Sequence, residues 1–265
     1  MRDSGMSALW LDNPLVLRTL FYPRSSAPGP QRDRIYDGTI PVANDIVLGY
    51  RLYVHQSDAP VILFFHGNGE IASDYDDFAV EYHEAGASLL VVDFRGYGWS
   101  TGQPKVSTLL SDVDPVVQAL PGILTSAGIT SHSLYIMGRS LGSVCAIQAA
   151  YHHTDEFKGV IIESGFAHVL PLLARLGLPA HLLANVPDPI GNLRKMEQIR
   201  LPLLVIHGER DTLIPVANGQ ALYDASPAAH KRLVRIAGAG HNDLLLYGLD
   251  QYFAAIAQFL EESLS

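Results

Sequence analysis

Cysteine is almost absent: Cys145 is the single thiol in 265 residues. One thiol excludes an internal disulfide and a multi-cysteine zinc site, so nothing points to an oxidising compartment. Basic residues are also scarce, with 18 Lys+Arg against 27 Asp+Glu, for a formal net charge of −9. Binding a phosphate backbone needs clustered Lys and Arg, so a nucleic-acid partner is not expected. Charged residues make up only 17% of the chain and hydrophobic ones 48%, which is the composition of a folded domain rather than a disordered chain. Long apolar runs are missing too, and a spanning helix needs about 18 apolar residues in succession. The greasy stretch from Ala8 to Tyr22 is interrupted by Asp12, Asn13, Pro14 and Arg18. It carries neither an unbroken h-region nor a small-residue cleavage site, so a cytoplasmic location is the expectation. Leu9–Tyr22 is expected to pack back on its own domain, with docking on a membrane interface as the lesser alternative. No repeat or low-complexity tract is present, and composition carries no signal of oligomeric state.

What is present is a rhythm. Val61–Phe65, Leu89–Val92, Leu134–Met137, Val160–Ile162 and Leu203–Ile206 are short runs rich in branched residues, most of them bounded by Gly, Asp or Pro. Helix-length segments separate them, which predicts an α/β fold: a mostly parallel, doubly wound sheet. Leu249, Tyr252, Phe253, Ile256, Phe259 and Leu260 recur at helical spacing and predict a final amphipathic helix. Ile35–Val42 and Ile46–Val54 alternate instead, around the turn Ala43-Asn44-Asp45, and predict an antiparallel hairpin ahead of the parallel part. Residues 1–34 are read as an N-terminal segment and 35–265 as the main domain. Residues 167–195 hold Pro171, Pro179, Pro187 and Pro189 with many leucines and no strand signal, so one or two short apolar helices are expected there as a small cap.

Gly138-Arg139-Ser140-Leu141-Gly142 lies between a predicted strand and a helix of small residues. G-x-S-x-G in that setting is a nucleophile elbow: a sharp turn holds the serine in a strained conformation, and the glycines remove clashing Cβ atoms. A serine nucleophile needs a base, and the base an orienting carboxylate. His241, in the Gly-rich loop Gly238–Asp243, and Asp211, just past the strand Leu203–Ile206, are the candidates. The order Ser140, Asp211, His241 places all three just past the carboxyl ends of strands. Glu209 and Asp243 are the rival acids. The turn His66-Gly67-Asn68-Gly69-Glu70 offers the Asn68 backbone N–H, which with that of Leu141 would form an oxyanion hole, His66 and Glu70 acting as supports. In the loop Asp93–Ser100 the charges are expected to bridge loops, and Tyr97 and Trp99 to line a pocket mouth. Leu170 and Leu173 of the cap are the remaining pocket candidates. No residues have metal-ligand spacing, Gly96-x-Gly98 lacks the third glycine of a dinucleotide fingerprint, and Cys145 is expected to be a buried small residue. No metal is expected.

Together these motifs resemble the α/β-hydrolase superfamily over about residues 35–265. The H-G-x-G-E turn and the D-x-R-G-x-G-x-S loop are similar to the branch holding monoacylglycerol lipases and serine aminopeptidase-like hydrolases. The Gly240–Asp243 context resembles the α/β-hydrolase-domain depalmitoylases, although the N-terminal cysteine cluster of that group is missing. The resemblance implies a cofactor-free serine hydrolase acting on a small-molecule carboxylic ester or thioester. Amide or peptide hydrolysis, acyl transfer and a non-catalytic binding protein on the same fold are the alternatives.

Overall fold

The alternating segment ahead of the parallel part forms a hairpin of β1 (Ile35–Ala43) and β2 (Ile46–Tyr53), paired antiparallel with Asp45 at φ +58° in the turn. The computed structural model describes residues 10–30, 32–183, 186 and 188–264. Residues 1–9 of the N-terminal segment and Pro187 of the insertion lie outside the described residues. The apolar runs become β3 (Val61–Phe65), β4 (Ser88–Val92), β5 (Leu134–Arg139), β6 (Gly159–Glu163), β7 (Leu203–Gly208) and β8 (Lys231–Ile236). They form one sheet in the order β1-β2-β4-β3-β5-β6-β7-β8, with β3 to β8 parallel. The chain runs outward from β3 in both directions, so the switch point of the sheet lies between β3 and β5. Ligand sites of doubly wound sheets form at that crevice, past the carboxyl ends of the strands.

Each strand contributes to two cores because successive side chains point to opposite faces. Val61, Leu63 and Phe65 join Leu90, Val92 and Ile136 on one face. That face is covered by helices α3 (Val106–Ser111), α4 (Val113–Ser126), α5 (Ser143–His152) and α8 (Asn192–Met196). Ile62, Phe64, Leu89, Val91, Tyr135 and Met137 occupy the other, beneath α2 (Ala79–Glu84) and the final helix α10 (Leu244–Leu264). Cys145, on α5, is buried, and its thiol donates to the Leu109 carbonyl at 3.2 Å. Burial pushes that thiol far above its usual range.

Helix α1 (Pro14–Leu20) lies on the first core, with Leu11, Val16, Leu20 and Phe21 buried. The insertion after β6 forms α6 (Val169–Arg175) and α7 (Ala180–Leu183), and α6 packs against α1. The expected boundary at residue 195 needs correction. Residues 192–196 are α8, which packs on α5 and on α9 (Ala217–Ala225) and belongs to the helical layer. Asn192 is buried and donates to the Phe166 carbonyl at 2.9 Å, which anchors this helix to the end of β6. Among the described residues no helix is long and apolar enough to cross a membrane.

Candidate active site

Ser140 follows the last residue of β5 and has φ +50°, a conformation that costs a non-glycine residue of order 1–3 kcal/mol. The neighbouring glycines are sterically required. A Cβ on Gly138 would lie 2.4 Å from the Gly142 carbonyl oxygen, and one on Gly142 would lie 1.9 Å from that of Phe65. The second contact presses the turn at Leu141 against the end of β3, where His66–Glu70 begins. The loops bearing Leu141 and Asn68, at opposite ends of the proposed donor pair, therefore adjoin.

The structure brings Ser140, His241 and Asp211 together from three strand ends. His241 Nε2 lies 2.9 Å from Ser140 Oγ, and His241 Nδ1 lies 2.7 Å from Asp211 Oδ2. A carboxylate beside Nδ1 requires a proton there, which leaves Nε2 as the acceptor facing the serine hydroxyl. The other carboxylate oxygen, Asp211 Oδ1, accepts the Leu213 and Ile214 N–H groups at 2.9 and 2.7 Å. Burial raises the Asp211 carboxyl, but hydrogen bonds from His207 and His241, the charge of His241 and the Ile214 N–H outweigh it and hold the group well below its usual range. The rival acids do not compete: Asp243 Oδ1 accepts the Gly240 N–H at 2.5 Å, and Glu209 is exposed. Ser140 itself is only 7% exposed, so its hydroxyl stands in a nearly closed site.

His66 and Glu70 brace the turn after β3. His66 is wholly buried, with Nδ1 2.7 Å from the Gly67 carbonyl and Nε2 3.2 Å from Asp93 Oδ1. Burial lowers its affinity for a proton, but Asp93, the Gly67 carbonyl and Glu70 together outweigh it and the net shift is upward. Glu70 Oε2 accepts the Gly67 N–H and the Tyr75 hydroxyl, each at 2.7 Å. In the next loop Arg95 pairs with Asp112 through two bonds of 2.7 and 2.6 Å.

Three residues with no role in the motif reading complete the assembly. Arg139, the variable position of G-x-S-x-G, donates from Nε to Glu163 Oε1 at 2.9 Å and from Nη1 to Glu70 Oε1. Its Nη2 donates to the His241 carbonyl at 3.0 Å and to Asn242 Oδ1 at 3.1 Å. One guanidinium thus ties the His66–Glu70 turn, the end of β6 and the His241 loop. Glu163 in turn accepts the Tyr252 hydroxyl at 2.7 Å, and burial raises its carboxyl despite the adjacent Arg139. A signal existed in the sequence: a cation between Met137-Gly138 and Leu141 must find an anion when buried, and Glu70 and Glu163 both end strands or their turns. His207, also buried, places Nε2 2.7 Å from the Ile214 carbonyl and 3.4 Å from Asp211 Oδ2, backing the carboxylate.

The pocket residues need correction. Tyr97 is 0% exposed, and its hydroxyl donates to Asn68 Oδ1 at 2.6 Å, so it presents no surface to a ligand. The Trp99 indole donates to the Gly38 carbonyl at 2.9 Å and lies under Arg51, which commits it to the hairpin. Leu173 is 0% exposed within the core and packs the cap down, whereas Leu170 is half-buried. The cap leucines are mostly structural. Among the described residues no group of three or more His, Cys, Asp or Glu side chains could hold a metal ion.

Comparison with known proteins agrees with this architecture. The mouse (Mus musculus) alpha/beta hydrolase domain-containing protein 17C is 31% identical over 209 residues, covering 77% of this chain and 60% of the relative. The chain thus spans about three-fifths of the length of that curated relative. An esterase of Pyrococcus furiosus, Pf2001, superposes with a TM-score of 0.73 at 21% identity, over 92% of this chain and 98% of its own. Est1E of Butyrivibrio proteoclasticus, solved with ferulic acid bound, gives 0.67 at 21% identity over 86% and 99%. Both likenesses speak to the fold. The family described as Serine aminopeptidase, S33 (Hydrolase_4) matches residues 56–190 and 191–245. With most of its length matched, and with this sheet order, this chain belongs to that α/β-hydrolase family.

Proposed function

We propose that the protein is a serine hydrolase that cleaves carboxylic esters or thioesters through Ser140, His241 and Asp211. The observation that carries this reading is the unbroken chain of contacts from Asp211 Oδ2 through His241 to Ser140 Oγ, at 2.7 and 2.9 Å. His241 Nε2 takes the serine proton while Oγ bonds to the substrate carbonyl carbon, and the carbonyl π pair moves onto oxygen. The Asn68 and Leu141 N–H groups receive that oxyanion, and Asp211 stabilises the imidazolium. Collapse breaks the bond to the alcohol or thiol, which leaves with the proton held by His241. Water then repeats the sequence on the acyl-enzyme, and the acid departs. No cofactor enters any step.

Ester cleavage is favoured over aminopeptidase action by the cap. Its one acid, Asp188, accepts N–H groups of Ile190 and Gly191 at 3.1 and 3.2 Å on Oδ1. Its Oδ2 accepts the Val169 N–H at 3.2 Å and faces His168 Nδ1 at 3.3 Å. That carboxylate is engaged in holding the cap and does not await a substrate ammonium. The test is a p-nitrophenyl ester series from acetyl to palmitoyl, run beside aminoacyl p-nitroanilides, with fluorophosphonate labelling of Ser140. Ester turnover that falls about 10⁶-fold in Ser140→Ala supports the reading. Unlabelled Ser140 in folded protein favours a binding protein, and faster anilide turnover favours a peptidase.

A further inference from the structure

Two of the three partners of the Asn68 side chain belong to a segment remote in sequence. Its Nδ2 donates to the Leu20 carbonyl at 2.7 Å, and its Oδ1 accepts the Tyr22 N–H at 3.0 Å. The third partner is the Tyr97 hydroxyl at 2.6 Å, which also receives the Tyr22 N–H at 3.0 Å. The segment is stitched down on either side of this clamp. Asp12 accepts the Ser107 N–H and hydroxyl at 3.1 and 2.5 Å. Arg24 donates to the Gly69 carbonyl at 3.0 Å and pairs with Asp74 at 2.6 Å. Gly98 N donates to the Arg24 carbonyl, and Ser26 N to that of Gly98, both at 2.8 Å. Helix α1, just before the clamp, lies against the cap helix α6.

We infer that residues 20–22 are a positioning element for the oxyanion donor on Asn68, an inference that rests on the function proposed above. The peptide plane that carries the Asn68 N–H is located from two directions. On one side the Gly67 N–H is bound by Glu70 at 2.7 Å, and on the other the Asn68 side chain is bound by Leu20 and Tyr22. An oxyanion donor is effective only within about 2.7–3.1 Å of where the charge develops, and misplacement by about 1 Å costs on the order of 10²-fold. Bonds to the Leu20 carbonyl and the Tyr22 N–H, with no side chain of the segment taking part, are therefore part of the machinery that stabilises the tetrahedral intermediate.

The decisive comparison is Tyr22→Pro against Tyr22→Ala. Both remove an exposed ring, but only proline removes the N–H, and Phe21 is already extended (φ −110°, ψ 135°), as a residue before proline must be. On p-nitrophenyl butyrate, kcat of Tyr22→Pro is expected about 10- to 100-fold below that of Tyr22→Ala, with KM within about twofold. A trifluoromethyl ketone supplies a second readout: Ser140 Oγ adds to its carbonyl, the proton passes to His241, and an oxyanion is left in the hole. Its Ki should weaken by the same factor. A purely structural segment would lower the melting temperature and leave kcat and Ki equal in the two variants, which overturns the inference. Should Tyr22→Pro fail to fold, Tyr97→Phe takes its place, with about a threefold to tenfold loss in kcat and Ki expected from one lost hydrogen bond. Unchanged values there overturn it equally. Wild-type protein that neither labels with fluorophosphonate nor turns over esters sinks the site reading itself, whereas labelling with equal kcat in the variants sinks only the role of the segment.

Discussion

Arg139 Nη2 donates to the backbone carbonyl of His241 at 3.0 Å, so the side chain next to Ser140 carries the loop that presents His241 to it. The same guanidinium is bound by Glu70 and Glu163, and its own side chain is only 12% exposed. Replacing it leaves two carboxylates short of their partner. Breaking a buried ion pair from one side costs about 3–5 kcal/mol. Arg139→Met is expected to lose stability on that scale in urea titration, and to lose kcat further than KM as the histidine loop loosens. Adding Glu163→Gln should return part of the stability, because the uncompensated charge is removed.

The carboxyl of Asp211 sets an acid limit. Its folded-state pKa lies below the ordinary carboxylate value of about 4, so it contributes stability that is present above that value and is lost as pH falls through the folded one. Urea midpoints of the wild type should therefore fall between pH 5 and pH 3 more than those of Asp211→Asn. The same variant removes the acceptor that holds the His241 tautomer, for which a loss in kcat of about 10⁴-fold is expected at neutral pH. Equal acid sensitivity of the two proteins would assign the acid limb to other carboxylates.

Leu173 and Leu170 separate packing from recognition within one helix. Leu173 is fully buried, and truncating such a leucine to alanine costs about 2–5 kcal/mol. Leu173→Ala should lower the melting temperature and leave the order of preference along an ester series intact. Half-buried Leu170 should show the reverse: a small stability change and a shift in the preferred acyl length.

The fold was legible in the sequence where one physical signal dominated. Val61–Phe65 is bounded to the residue, because an apolar run flanked by turn formers leaves a buried strand little freedom. The order Ser140, Asp211, His241 was legible for a similar reason, since each follows a strand in a recognisable turn. Roles decided by tertiary packing were hidden. Tyr97 and Trp99 read as aromatic rims, but their hydrogen-bonding ends are claimed by Asn68 and Gly38 from elsewhere in the chain. Arg139 lay inside the motif and escaped notice because the pattern leaves that position open. The three-way contact of Leu20, Tyr22 and Asn68 spans more than forty residues of chain and uses only backbone atoms of Leu20 and Tyr22, so no residue type in that segment announces it.

The burial of Cys145 gives the protein a built-in reporter. Its sulfur is sealed on the buried face of α5, and its thiol is held in the unreactive protonated form. Alkylating reagents should therefore leave the native protein unmodified, and any labelling measures how often the interior behind the elbow is laid open. The rate of modification at this one sulfur can follow opening of the sheet's central layer without an engineered probe.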